Sequence, residues 1–151
     1  MENQNIVMAV EKTVVKTMEE MSFIVFCPSE EVSLPVGSSY YPRKVFLQTN
    51  YPLSADFILV MPDDLLKEIT CSIYGIELEE LTVDKENDVL AEILNTISGS
   101  VIKNLIPPEF TYDLGIPMLD FDEHKIASTK KETKCIFKSD EDKYIALSIF
   151  I

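Results

Sequence analysis

Apolar side chains recur every three or four positions in two long stretches of the chain, and this spacing predicts two long amphipathic helices. The first covers residues 5–22, and the second covers residues 85–105 and ends before Pro107 and Pro108. A shorter helix is predicted over residues 62–74, because a proline and two aspartates begin it and Gly75 is well placed to end it.

Shorter apolar or alternating runs between and after the helices predict strands. These runs are residues 23–26, 44–50, 56–61, 110–118, 133–138 and 143–151, with residues 28–42 predicted as a loop or an irregular edge strand. The runs 56–61 and 143–151 are apolar on both faces, which indicates buried strands, and residues 139–142 predict a hairpin turn. The order of elements predicts an α+β fold, with long amphipathic helices packed on a mostly antiparallel β-sheet, in a single domain spanning residues 1–151.

Composition and charge narrow the classes of partner. The chain carries 13 basic against 26 acidic side chains, a formal charge of −13, and 46% of its residues are hydrophobic. This apolar fraction predicts a folded globular protein, and the acidity argues against nucleic acid or an anionic membrane as partner. No run is long and apolar enough for a membrane helix, and the first residues lack the features of a signal peptide, so a cytoplasmic protein is expected.

The three cysteines and the acidic stretch that ends in His124 could suggest a metal or redox site, but the residues around them do not favour one. Cys27, Cys71 and Cys135 are widely spaced and lie beside apolar residues, so we expect buried free thiols and not a zinc site or a disulfide framework. The acidic stretch 120–124 ends in the lone His124 and lies between two predicted strands, which favours a solvated turn. No metal site is therefore predicted, and no nucleophile motif is present.

The second long helix has an unusual outer face. Its core-facing arc is uniformly apolar, whereas Asp88, Glu92, Asn95 and Gly99 fall on the opposite side. Glycine costs about 1 kcal/mol relative to alanine inside a helix, and asparagine is also a mediocre helix former. Glu-x-x-Asn alone is uninformative, since about 0.6 matches are expected by chance in a chain of this composition. On periodicity alone, a strip that faces a partner and an ordinary solvated face both stay open.

Residues 89–102, with the sequence VLAEILNTISGSVI, resemble the signature helix of CheX/CheC-type chemotaxis phosphatases. That helix carries Glu-x-x-Asn and then a glycine four positions after the asparagine, here Glu92, Asn95 and Gly99. Residues 112–117 (YDLGIP) and the closing hairpin are also similar to CheX in order and spacing. Aligning an internal pseudo-repeat puts Thr17 and Glu20 at the positions of Glu92 and Asn95, so only one site of the required type is expected, as in the single-site CheX branch.

The resemblance implies a CheC-like fold and a phosphatase that removes the phosphoryl group from the aspartyl-phosphate of a CheY-like response regulator. Asn95 is then expected to orient the attacking water and Glu92 to pair with a lysine of the partner, while Asp88 extends the contact and Gly99 leaves room for the partner's backbone. The protein needs no cofactor of its own, because Mg²⁺ is expected in the partner. A homodimer is also implied, and a monomer by light scattering would refute it. The alternative is a non-catalytic interaction module that binds a response regulator or a flagellar-switch component.

Overall fold

Three helices and six strands make up the fold in the computed structural model, which describes residues 3–34 and 42–151. The helices are α1 (Asn3–Ser22), α2 (Asp63–Tyr74) and α3 (Val83–Leu105), and the strands are β1 (Phe26–Ser29), β2 (Pro42–Tyr51), β3 (Ala55–Pro62), β4 (Asp113–Leu114), β5 (Glu132–Ser139) and β6 (Tyr144–Phe150). The strands form one sheet in the order β1-β5-β6-β3-β2-β4, and every neighbouring pair is antiparallel. The predicted α+β fold with long helices on an antiparallel sheet is confirmed.

The core lies between the helices and one face of the sheet. Alternate strand residues such as Leu47, Phe57 and Leu147 point into it and are buried together with one face of each helix. The apolar stripes of α1 and α3 meet there, which is why these two stretches fold as helices although their outer faces are polar. None of the helices in the described part of the chain combines the length and apolarity that crossing a bilayer requires.

The opposite face of the sheet is covered in part by the segment that joins β4 to β5. The ring of Phe121 stacks on the ring of Phe46, with centroids 3.5 Å apart and planes 4° from parallel. Lys130 Nζ lies 2.7 Å from Asp56 Oδ2, and both side chains are largely buried. Residues 56–61 were predicted to be a strand covered on both faces, and β3 meets that description because it is central in the sheet and buried along most of its length.

Most predicted boundaries agree with the structure to within a few residues, and α2 ends as predicted. Gly75 adopts φ 63° and ψ 40°, the left-handed conformation that favours glycine, and its N–H donates to the carbonyl of Cys71. The predicted hairpin turn is also confirmed, since the N–H of Ser139 donates to Lys143 O at 2.8 Å between β5 and β6.

The strand predicted over residues 23–26 is wrong. Phe23 adopts φ 61° and is 82% exposed, because it turns the chain away from the end of α1. The strand begins only at Phe26 and continues to Ser29, into the region predicted as a loop or an irregular edge strand. Residues 35–41 of that predicted loop lie outside the described residues.

The prediction that all three cysteines are buried is wrong for Cys27, which is exposed on β1. Cys71 is half-buried and only Cys135 is fully buried. The error follows from the shifted strand, because Cys27 lies next to the inward-facing Phe26 and therefore points the other way. Burial, with a smaller contribution from the charge of Glu11, raises the pKa of Cys135 to about 11.

Candidate functional site

Helix α3 presents the two faces that its sequence predicts. Its N-terminus is capped by the side chain of Thr82, which accepts a hydrogen bond from the N–H of Lys85 at 3.3 Å. The residues of the apolar arc are buried, among them Leu90, Ile93, Leu94 and Ile97. On the outer side Asp88 and Glu92 are exposed and Asn95 is half-buried. The side chains of Glu92 and Asn95 therefore project from the same face, one helical turn apart.

A network of charged side chains fixes the first turns of α3 to the rest of the fold. Arg43 on β2 donates to Glu86 Oε1 at 2.7 Å, to Asp63 Oδ1 at 2.9 Å and to Asn87 Oδ1 at 2.7 Å. Lys67 on α2 also donates to Glu86, at 2.9 Å, and the Glu86 side chain is only 3% exposed. Because one strand and two helices share these bonds, the part of α3 that carries Asp88 and Glu92 is held in place.

The same network shifts the pKa of Asp63 and of Lys67 toward their charged forms. Burial disfavours ionisation of Asp63, but hydrogen bonds from Arg43 and Lys67 outweigh it and hold the pKa of Asp63 below its ordinary value. The hydrogen bond to Glu86 raises the pKa of Lys67 despite partial desolvation. These groups are therefore charged at neutral pH, as a structural network requires, and they lie apart from the outer face of α3.

The role that the sequence predicted for Gly99 needs correction. Gly99 is buried, and a Cβ at that position would lie 3.3 Å from Leu114 Cδ1 and 3.7 Å from the hydroxyl of Tyr112. The glycine therefore makes room for the chain's own segment at Tyr112 and Leu114, which ends in β4, and a partner's backbone has no access there. The asparagine and the glycine share one face, as periodicity predicted, but only Asn95 reaches the surface.

The segment that covers Gly99 continues along the edge of β2. The N–H of Gly115 donates to Gln48 O at 2.7 Å, and Met118 and Phe46 exchange two backbone hydrogen bonds of 2.7 and 2.8 Å. A Cβ on residue 115 would lie 2.5 Å from Gln48 O, so the close approach requires glycine. The predicted strand over residues 110–118 is reduced to Asp113–Leu114 and the isolated pair of Phe46 with Met118.

An open groove of about 490 Å³ separates α3 from this segment. One wall comes from α3 and the other from the segment after β4. The lining residues are Asp88, Ala91, Glu92, Asn95, Gly115, Ile116 and Pro117. Three of the four residues predicted for the site thus line one groove, and Gly99 does not. Ile116 and Pro117 were not predicted as site residues, although their segment contributed to the family resemblance.

The polar groups of the groove are available to a partner. The hydroxyl of Thr96 donates to the main-chain oxygen of Glu92 at 2.9 Å and lies 3.5 Å from Glu92 Oε1. In the described part of the chain, the side chains of Asp88 and Asn95 form no hydrogen bond or ion pair, and Glu92 contacts no cation. A carboxylate on this rim accepts hydrogen bonds from a cation, and the amide of Asn95 both donates and accepts.

The groove lacks the residues of several other chemistries. None of its lining side chains is a histidine, cysteine, serine or lysine. Among residues 3–34 and 42–151, no cluster of three potential metal ligands occurs. The stretch 120–124 lies in an exposed turn in which the Asp122 side chain accepts from the N–H of His124 at 3.0 Å, which agrees with the predicted solvated turn. The groove therefore offers a reactant two carboxylates and one amide as its polar side chains.

Comparison with known families gives a match over much of the chain. Residues 46–139 match the family model described as chemotaxis phosphatase CheX, a range that includes α3 and both walls of the groove. No curated protein sequence matches the chain.

Solved structures of this fold resemble the chain along nearly its whole length. A CheC-like superfamily protein from Shewanella sp. PV-4 is 16% identical, with a TM-score of 0.70 and coverage of 96% of this chain and 97% of that one. A chemotaxis protein CheX from Desulfovibrio desulfuricans is 12% identical, with a TM-score of 0.73 and coverage of 97% and 99%. The CheX-CheY-BeF3-Mg²⁺ complex from Borrelia burgdorferi contains a chain that is 14% identical, with a TM-score of 0.65 and coverage of 95% and 96%. These likenesses show the CheC-like fold.

Proposed function

Because the chain belongs to the CheX family of chemotaxis phosphatases, we propose that it dephosphorylates a CheY-like response regulator through Asn95 and Glu92. The observation that carries the proposal is the placement of these two side chains on one face of α3, at an open groove. Within the described chain, the amide of Asn95 has no hydrogen-bond partner and the carboxylate of Glu92 has no cation beside it. A CheX structure from Borrelia burgdorferi was solved in complex with CheY.

The proposed reaction transfers the phosphoryl group from the regulator's aspartate to water. The water oxygen attacks phosphorus in line, the bond from phosphorus to the aspartyl oxygen breaks, and inorganic phosphate and a free carboxylate result. The regulator is expected to bring Mg²⁺ and a lysine, which neutralise charge on the phosphoryl group. What this chain supplies is a group that holds one water behind the phosphorus.

Asn95 is suited to that task because its amide donates and accepts hydrogen bonds on a short side chain. An amide has no titratable proton near neutral pH, so Asn95 acts by orienting the water and not as a base. The glutamine that positions the attacking water in GTPases acts in the same way. Because Asn95 is half-buried at the groove, its side chain has fewer rotamers to lose when the partner arrives.

Glu92 is proposed to hold the partner in register. It lies one turn before Asn95, about 5–6 Å away between Cβ atoms, and its carboxylate is exposed. An ion pair with the partner's lysine then places the phosphoryl group opposite Asn95. Asp88, one turn further toward the N-terminus, extends the acidic rim of the same groove.

The test is the decay of a phosphorylated regulator. Each CheY-like response regulator of the source organism is phosphorylated with a small-molecule phosphodonor, and its decay is followed with and without this protein. Asn95→Ala is expected to lower the stimulated rate about 100-fold while binding persists, because a misplaced water loses the in-line geometry. Asn104→Ala is the matched control, since Asn104 is exposed on the same helix but does not line the groove.

The outcomes separate the catalytic role from binding alone. Faster decay that Asn95→Ala abolishes and Asn104→Ala preserves supports the phosphatase. Full stimulated activity in Asn95→Ala refutes the assigned role of the amide. Measurable binding with unchanged decay in the wild type favours the non-catalytic interaction module.

A further inference from the structure

The second wall of the groove is apolar and exposed, in contrast to the first. Ile116 is 84% exposed and faces the groove beside Pro117, opposite the carboxylates of α3. Met118 and Leu119 follow directly and are 46% and 41% exposed, but they line a separate pocket beside Phe46 and Phe121. Scattered exposed apolar residues are ordinary on a protein surface, but Ile116 and Pro117 are adjacent and border a polar groove, which marks an interaction site.

This wall is fixed before any partner binds. Main-chain hydrogen bonds tie Gly115 and Met118 to β2, one on each side of Ile116 and Pro117. Leu114 packs over Gly99 on the other side. Because the segment is held between β2 and α3, an apolar partner surface gains contact with Ile116 without the cost of ordering a loop.

We propose that Ile116 and Pro117 are the docking wall that receives an apolar patch of the phosphorylated response regulator, and that this contact determines which regulator the protein accepts. The proposal rests on the function proposed above. It commits to the regulator as occupant because the apolar wall is continuous with the acidic rim. Because Glu92 and Ile116 lie on opposite walls of one groove, a partner that places an ammonium group beside Glu92 also lies close to Ile116.

The contrast between an acidic wall and an apolar wall also limits the chemistry of the partner. The acidic rim of Asp88 and Glu92 attracts a basic group, whereas the apolar wall gives no favourable interaction to a charged one. An acceptable regulator therefore carries a lysine and an apolar side chain side by side next to its phosphorylated aspartate. A regulator with a charge at the apolar position is rejected, because the charge loses its hydration without gaining a partner.

Ile116→Ser tests the contact with little effect on folding, because the side chain is exposed. Burial of an isoleucine on binding corresponds to a gain in affinity of about 10-fold or more. Val32→Ser is the matched control, since Val32 is 90% exposed and follows β1 at the opposite edge of the sheet from β4. Circular dichroism checks that both variants are folded.

Two quantities are measured for each variant. One is the Kd for the wild-type regulator loaded with BeF3⁻ and Mg²⁺, a non-hydrolysable mimic of the phosphorylated form. The other is the dependence of dephosphorylation on regulator concentration, which separates KM from kcat. Ile116→Ser is expected to raise Kd and KM about 10-fold and to change kcat little, while Val32→Ser matches the wild type.

Each result has a distinct meaning. If Ile116→Ser binds as tightly as the wild type while Asn95→Ala is inactive, the docking wall is refuted and the phosphatase stands. If Ile116→Ser weakens binding but the wild type does not accelerate decay, the docking wall stands and the phosphatase fails. A fall in kcat with unchanged KM assigns Ile116 to positioning and refutes docking, and a wild type that binds none of the organism's regulators refutes both proposals.

Discussion

Gly115 is the residue on which the geometry of the second wall most directly depends. Its N–H donates to Gln48 O at 2.7 Å, and a Cβ at the same position would lie 2.5 Å from that oxygen. Ordinary contact begins at 3.4 Å, so Gly115→Ala places the methyl group about 0.9 Å too close to a main-chain atom. The main chain at residue 115 fixes the position of the Cβ, and the oxygen of Gln48 is also a main-chain atom, so no flexible side chain can move to relieve the contact.

The cost of Gly115→Ala follows from the two ways in which the chain can respond. A shift of about 0.9 Å breaks the bond to Gln48 O, which removes about 1 kcal/mol, and residual crowding adds about 1–3 kcal/mol. Release of the segment from β2 avoids the clash but gives up the pairing of Met118 with Phe46 as well. We therefore expect the free energy of unfolding to fall by about 2 kcal/mol, together with weaker binding of the regulator, because the docking wall is no longer fixed.

Gly99→Ala is the matched control, because it adds the same methyl group on the other side of the same segment. There the Cβ meets Leu114 Cδ1 at 3.3 Å, and the end of a flexible side chain can move by the small amount required. Alanine is also favoured over glycine within a helix by about 1 kcal/mol. We expect Gly99→Ala to leave the free energy of unfolding unchanged or to raise it.

Urea unfolding followed by circular dichroism measures the stability of both variants. Hydrogen exchange at the amides of Phe46 and Met118 reports whether the segment has left β2 in Gly115→Ala. The contact with Gln48 O does not hold the wall if the two variants have equal unfolding midpoints. The same conclusion follows if Gly115→Ala shows unaltered exchange at these amides and binds the regulator like the wild type.

Two further predictions concern ionisable groups away from the groove. The pKa of Asp63 is held below its ordinary value of 3.8 by Arg43, so its stabilising effect is complete above that pH and is lost as the pH falls through the lower folded-state pKa. Asp63→Asn should therefore lose less stability than the wild type on acidification from pH 5 to 2, and an unchanged pH profile by urea unfolding would contradict this. At pH 8 a thiol reagent should modify the exposed Cys27 in the native protein and Cys135 only after unfolding, because burial raises the pKa of Cys135 to about 11. Mass spectrometry of the labelled peptides checks the order.

The helices and central strands were predictable because burial of one face against the core determines the spacing of their apolar residues. The arc of α3 illustrates this, since the periodicity of residues 85–105 alone separates the buried face from the one that carries Glu92 and Asn95. The ends of α2 were equally clear, because proline and glycine act through the local backbone and require no knowledge of the rest of the fold.

The errors occur where the conformation depends on distant parts of the chain. The apolar run 110–118 has the composition of a strand, yet only two of its residues form β4, because its course is set by Gln48 and by packing over Gly99. The helical periodicity singles out the small residue at position 99, but whether a neighbouring segment or a partner fills the space beside it depends on the tertiary fold. For the same reason Ile116, 21 positions from Asn95, was not predicted to line the same groove.

The position of β6 in the sheet has a consequence for how the chain folds during synthesis. β6 (Tyr144–Phe150) is synthesised after the other strands of this sheet, but it lies between β5 and β3 and pairs with both. Its pairing with β3 joins residues far apart in sequence, for example Asp56 with Phe150, which are 94 positions apart. Until β6 emerges, the hairpin of β2 and β3 and the strands β1 and β5 are separate pieces, each with an unpaired edge. The sheet therefore closes in a late step, and until then the unpaired edges of β3 and β5 are the surfaces of a nascent chain most open to intermolecular strand pairing.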